Sequence, residues 1–284
     1  MRESSMIAMG RPTYEVIAED VEFGRAGDTV LIARLYRPKG ASHFPAIVDV
    51  HGGAWTGGDR LNNAPMSEAI AASGTAVLAL EFRLAPATRY PGSVADINLG
   101  IRWLKANAAR FGADPNCIGG LGTSSGGHQL MLNALQPHDP RYAALPLAAD
   151  VDASLKYIVI CWPISDPVAR YRMAKVTGNE RLVKNHHAFF GTEEVMLEAS
   201  PQRIIESGSS SKLPPALLIQ GTKDANVTPD MADRFAAAYA KAGGEIVLRK
   251  FEGQPHTFIP QNSTAAASRE ALQLIIDFIR RQTA

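Results

Sequence analysis

"GGLGTSSGGHQL", Gly119 to Leu130, sets two serines among glycines where an apolar run gives way to helix-forming residues. Small residues packed this closely demand an unusual backbone conformation, or a backbone that another group approaches. Gly122, Ser124 and Gly126 form a G-x-S-x-G pattern. Between a strand and a helix, that pattern is a sharp turn that lifts a serine hydroxyl to the end of a sheet. The free N–H groups at the helix start would face negative charge developing there. Ser124 is the candidate nucleophile, and the N–H of Ser125, the next residue, is a candidate oxyanion donor. The same pattern recurs by chance in Gly- and Ser-rich turns, so its surroundings must decide.

Working outward, near-continuous apolar runs recur at "PAIVDVHGG" (45–53), "TAVLALEFR" (75–83), "CIGGLGTS" (117–124), "YIVICWPI" (157–164), "ALLIQGTKD" (216–224) and "EIVLRKFEG" (245–253). Such runs suit strands buried on both faces of a parallel sheet. "TVLIARLYRP" (29–38) instead alternates and predicts an antiparallel partner near Val21–Phe23. Helical periodicity lies between the runs: Val94, Ile97, Ile101 and Leu104 share one face of a segment that stops at Gly112. Residues 230–244 and 268–282 repeat the pattern. The alternation predicts an α/β fold with a mostly parallel sheet flanked by helices. From about 165 to 212 helix-like pieces occur without a strand. The expectation is one domain over 1–284 with a helical cap there, joined by part of residues 1–20.

Composition excludes several classes. Lys and Arg number 29 against 28 Asp and Glu, for a net charge of +1, and no basic patch suggests a nucleic acid or anionic membrane as partner. Neither a signal-peptide core nor an apolar run of about 18 residues is present, so a cytoplasmic protein is expected. Cys117 and Cys161 read as buried reduced thiols, and the N-x-[ST] matches at Asn226 and Asn262 as chance. No His–carboxylate cluster has metal spacing and no glycine loop is placed for phosphates; the expected chemistry uses no metal or other cofactor.

The remaining parts of a hydrolytic site fall in order. His51, Gly52, Gly53 and Ala54 end a strand, where the N–H groups of Gly53 and Ala54 can meet a carbonyl becoming an oxyanion. Asp224 and His256 each follow a later strand. The order Ser, Asp, His is that of the α/β-hydrolases. Through "HGGAW", "LEFRLAPATRYPGSVADI", "GTSSGG", "GTKD" and "PHTF", residues 45–280 resemble hormone-sensitive-lipase-like carboxylesterases, with Ala54 where a third glycine is common. The resemblance implies an α/β-hydrolase fold and a serine esterase that acts on small to medium, apolar acyl or aryl esters through a Ser124–His256–Asp224 triad and an acyl-enzyme. It also implies a homodimer through the last strand and helix. An arylformamidase, amidase or lactonase would use the same residues; a non-catalytic receptor would have lost some of them.

Rivals exist for each role. Asp166 follows a strand and competes with Asp224, whereas Asp150 and Asp152 precede one, at the wrong edge. His128 is expected to pack around its helix, His51 to prop its loop, and His186 and His187 to lie exposed on the cap. Asp49 is an acid in an apolar strand, which requires a partner such as Arg83 or a place at the sheet edge. Trp162, Tyr171, Met173 and Met196 either line an apolar acyl pocket or pack the cap on the core.

Overall fold

Alternation of apolar strands with amphipathic helices folds this chain into one eight-stranded sheet with helices on both sides. The computed structural model describes residues 13–284. Strands β1 (Val16–Ala26) and β2 (Thr29–Pro38) form an antiparallel hairpin, with Val21 opposite Ala33. There follow β3 (Phe44–Val50), α1 (Ala64–Ala72), β4 (Ala76–Leu80), α2 (Gly92–Asn107) and β5 (Ala113–Thr123). Next come α3 (Ser125–Leu135) and β6 (Ile158–Cys161). Spatial order is β1-β2-β4-β3-β5-β6, continuing into two strands introduced below, and every pairing beyond β2–β4 is parallel. Of the segment 1–20 expected near the cap, residues 1–12 lie outside the described residues and 16–20 open β1 on the sheet edge.

After β6 the chain makes four helices without a strand: α4 (Pro167–Val176), α5 (Glu180–Phe190), α6 (Glu193–Glu198) and α7 (Pro201–Glu206). Asp166, Asn179, Thr192 and Ser200 each cap one, their side-chain oxygens accepting from backbone N–H groups that otherwise lack partners. The chain then returns through β7 (Ala216–Gly221), α8 (Pro229–Lys241), β8 (Ile246–Phe251), α9 (Phe258–Gln261) and α10 (Ala266–Thr283). Among the described residues no helix is long and apolar enough to cross a membrane.

Both faces of the sheet are buried, as its unbroken apolar strands require. Ala46, Val48 and Val50 of β3 face α2 and α3, while Ile47 joins Leu121, Val159, Met66 and Ile275 on the other face, under α1 and α10. Asp49 also points to that second side, from a central strand rather than the sheet edge. Its carboxylate accepts from Asn63 Nδ2 at 2.8 Å and Ser67 Oγ at 2.9 Å. Arg83, the partner first considered, is committed to Asp96 at 2.7 Å. The two polar groups reach Asp49 from α1, a helix that the strand-like and helix-like runs of the sequence left unread. The thiols divide: Cys161 is buried and Cys117 only half-buried, because Cys117 sits near the open start of β5 beside Lys156.

Candidate active site

The C-terminal ends of β3, β5, β7 and β8 converge on one cleft, the place where parallel sheets expose loops and helix N-termini. Ser124 lies between β5 and α3 with φ 53° and ψ −120°. That backbone is rare for a residue with a Cβ and costs on the order of 1–3 kcal/mol. Surrounding contacts enforce it: the Ser124 N–H donates to Cys161 O at 3.0 Å, and its carbonyl accepts from His128 N at 3.1 Å. A Cβ at Gly126 would lie 2.1 Å from Val50 O and 2.3 Å from His51 O, so only glycine lets α3 begin this close to β3. The same proximity brings the loop after β3 to the serine.

His256 Nε2 is 2.9 Å from Ser124 Oγ, and His256 Nδ1 is 2.7 Å from Asp224 Oδ2. A carboxylate only accepts, so Nδ1 carries the proton and Nε2 is left to accept from the serine hydroxyl. Asp224 is held from four directions. Its Oδ1 accepts from the N–H groups of Asn226 and Val227, both at 2.8 Å, and its Oδ2 from Gln220 Nε2 at 3.1 Å as well as from His256. Gln220, on β7, had no mark in the sequence beyond ending an apolar run. Asp166 is not joined to His256; it caps α4 through Ala169 N at 3.0 Å and pairs with Arg234 at 3.3 Å.

The loop after β3 carries Gly52, Gly53 and Ala54 along the cleft beside Ser124. Gly53 has φ 125°, and Ala54 and Trp55 have φ 51° and 65°. The N–H groups of Gly53 and Ala54 make no hydrogen bond among the described residues. Thr56 and Gly57 donate to the Gly53 carbonyl at 3.1 Å each, which turns the loop back on itself. His51 braces it: Nδ1 donates to Gly52 O at 2.6 Å, the ring stacks on Phe82 at 4.3 Å, and burial holds its pKa below the ordinary imidazole value. Ser125 also contributes through its side chain, its Oγ accepting from Trp55 N at 3.2 Å. The second serine of the opening stretch thereby ties the loop to α3.

Trp55 anchors that loop from the far side. It is buried, stacks on Phe189 at 5.4 Å, and meets His128, His186 and Phe190 edge-on. His128 accepts Trp55 Nε1 at Nδ1 (3.2 Å) and donates from Nε2 to Ala199 O at 2.7 Å. Contrary to expectation, His186 is buried rather than exposed on the cap, while His187 is exposed. Leu182, His186, Phe189 and Phe190 share the face of α5 that packs inward, and His186 has no alternative to burial there.

A cleft of about 440 Å³ opens over Ser124 and His256. Trp162, Tyr171 and Met196 are buried in packing and Met173 is half-buried; none of the four lines the cleft. Polar side chains line it instead, among them Arg170, Arg181, Asn226 and Gln261. Arg170 and Arg181 reach it from α4 and α5, Arg170 meeting Asn226 beyond β7, a tertiary fact without a sequence signature. Among the described residues, no cluster of three or more His, Cys, Asp or Glu side chains is arranged to hold a metal ion.

Residues 34–239 match the BD-FAE family model. Esterase LipC of Mycobacterium tuberculosis is 29% identical over 251 residues, which cover 84% of this chain and 60% of LipC. Isoprenylcysteine alpha-carbonyl methylesterase of Arabidopsis thaliana is 26% identical, over 75% of this chain and 50% of its own. The chain thus spans between half and three-fifths of the length of these relatives. Among solved structures, a propionate-bound thermophilic esterase of Thermogutta terrifontis superposes with a TM-score of 0.76 at 26% identity, covering 93% of this chain and 94% of that one. Esterase B of Lactobacillus rhamnosis gives 0.80 at 19% identity, over 94% and 87%.

Proposed function

The chain belongs to the BD-FAE family and has the α/β-hydrolase fold, and from that premise we propose that it is a serine carboxylic-ester hydrolase. The observation that carries the proposal is the continuous relay from Ser124 Oγ through His256 to Asp224, at 2.9 and 2.7 Å. Ser124 attacks the ester carbonyl as its proton passes to His256 Nε2, and Asp224 stabilises the imidazolium. The N–H groups of Gly53, Ala54 and Ser125 receive the oxyanion. Collapse of the tetrahedral intermediate breaks the C–O bond, and His256 returns the proton to the departing alcohol. Water then repeats the sequence on the acyl-enzyme, releasing the acid and restoring Ser124. We take α4–α7 as a cap over the acyl site, since Arg170 and Arg181 enter the cleft wall from α4 and α5.

The names of the relatives support an ester substrate, and an unstrained small ester is the first to try. A fluorophosphonate probe should label the protein at Ser124, and Ser124→Ala should abolish labelling and lower kcat by on the order of 10⁶. Labelling that persists in Ser124→Ala, or ester turnover near the wild-type rate, would remove the proposal. A parallel set of N-formyl and aryl amides would show whether amide hydrolysis is the preferred reaction.

A further inference from the structure

Arg170 is wholly buried, and a buried guanidinium is stable only when its charge is met and its donors are used. Here its direct partners are neutral. Nε donates to Asn226 O at 3.1 Å, Nη2 donates to Asn226 Oδ1, and Nη1 is buried with no acceptor. The guanidinium carbon lies 5.6 Å from the centre of the Trp55 ring, which supplies only a quadrupole. Burial pulls its pKa down to about 9, opposed by the more distant Asp224 carboxylate. A second cation, Arg181, is exposed at the same cleft and makes no ion pair or hydrogen bond among the described residues. Asn226 spends its side-chain oxygen on Arg170, so its amide nitrogen, which makes no hydrogen bond there, is the free end. No Asp or Glu lines the cleft among the described residues.

Resting on the esterase reading, we infer that the cleft selects esters carrying a carboxylate, bound at the wall formed by Arg170, Arg181 and Asn226. A carboxylate there would take a charge-assisted contact from Arg181, accept from the Asn226 amide and be drawn by the unneutralised Arg170 charge held against Asn226. The low-dielectric surroundings of Arg170 strengthen attraction to an anion relative to water. Dicarboxylic half-esters place this carboxylate on the acyl side; esters of hydroxy acids place it on the alcohol side.

Calorimetry on the inert Ser124→Ala variant tests the subsite without turnover. The ligands are monoethyl glutarate against its isosteric amide ethyl glutaramate, and the butyrate ester of glycolic acid against that of glycolamide. Within one pair the anion should bind more tightly by on the order of tenfold, as expected of hydrogen bonds to charged groups. Added Arg181→Gln should shrink that ratio severalfold, and added Arg170→Gln should bring it near one. Should Arg170→Gln fail to fold, the exposed Arg181 position decides, and Arg25→Gln, a cation of β1 remote from the cleft, should leave the ratio unchanged. Equal or weaker binding of the anion in both pairs, or a ratio indifferent to Arg181→Gln, overturns the inference. Wild-type kinetics on the neutral esters separate the two readings. Turnover of neutral esters without anion preference sinks only the subsite, whereas anion preference in Ser124→Ala with no ester turnover sinks only the esterase.

Discussion

Of the three buried histidines His51, His128 and His186, the last two make acid the sharpest global perturbation of this fold. Protonating His128 would put a second donor at Nδ1, facing the Trp55 Nε1–H that now donates to it. His186 already donates from Nδ1 to Leu182 O at 2.7 Å, and a proton on its buried, unpartnered Nε2 would find no acceptor. Burial, reinforced by the Arg170 charge, pushes their pKa values down from 6.5 to about 4 and about 3. The unfolded chain therefore binds two more protons than the native one between these values and 6.5, and stability falls as pH drops through 6.5. At pH 5 each histidine costs about 2 kcal/mol. Asp49 acts in the opposite sense, because burial raises its pKa to about 6 and protonation relieves it. Its gain by pH 5 is about 1.4 kcal/mol. These three groups together cost about 2–3 kcal/mol from pH 7 to pH 5, and buried His51, its pKa also lowered, adds in the same sense. Urea unfolding followed by tryptophan fluorescence at both pH values measures it. His186→Leu, which fills the inward face of α5 with carbon, should reduce the loss by about 2 kcal/mol. Equal stability at pH 5 and pH 7, or a pH dependence unaltered by His186→Leu, would refute the reasoning.

Three further substitutions probe the site and its support. Asp49→Asn removes the buried charge while Asn63 and Ser67 stay in reach, and should stabilise the protein at pH 8 by about 3 kcal/mol. A less stable variant would show that those two hydrogen bonds outweigh desolvation. Asp224→Asn should keep the fold but lower kcat about 10⁴-fold, since an amide donor favours the wrong His256 tautomer; an activity loss under tenfold counts against the relay. Gly126→Ala forces a Cβ into Val50 O and His51 O and should lower the urea-unfolding free energy by about 3 kcal/mol or more. A wild-type unfolding midpoint would show that β3 can yield.

The parts of this molecule that sequence reveals are those set by local chemistry. Ser124, Asp224 and His256 each follow a strand, and strand ends are visible as the last apolar residue before a turn. The glycines around Ser124 are legible because each answers a contact within a few residues of the turn or with one neighbouring strand. Asp49 was opaque because its partners sit on α1, a short helix of small residues with little amphipathic signal. His186 was readable in principle: Leu182, Phe189 and Phe190 stand four, three and four residues from it along one helical stripe. The polar cleft wall was beyond reach, since Arg170, Arg181 and Asn226 come from three segments whose docking depends on the whole insertion. Of the two readings open for the aromatic and methionine residues there, packing on the core holds for Trp162, Tyr171 and Met196, which are buried and do not line the cleft.

Trp55 sits at a junction whose consequence extends beyond one catalytic turnover. A single indole belongs both to the turn bearing the unengaged amides and to the aromatic stack built by Phe189 and Phe190. On the esterase reading, the packing of α5 and the reaction rate are therefore not independently adjustable. Reshaping the inner face of α5 transmits a displacement straight to that turn, whose amides are the ones proposed to meet the reacting oxygen. Divergence toward new substrates has an easier route through Arg181 and Gln261, whose replacement leaves the indole seated.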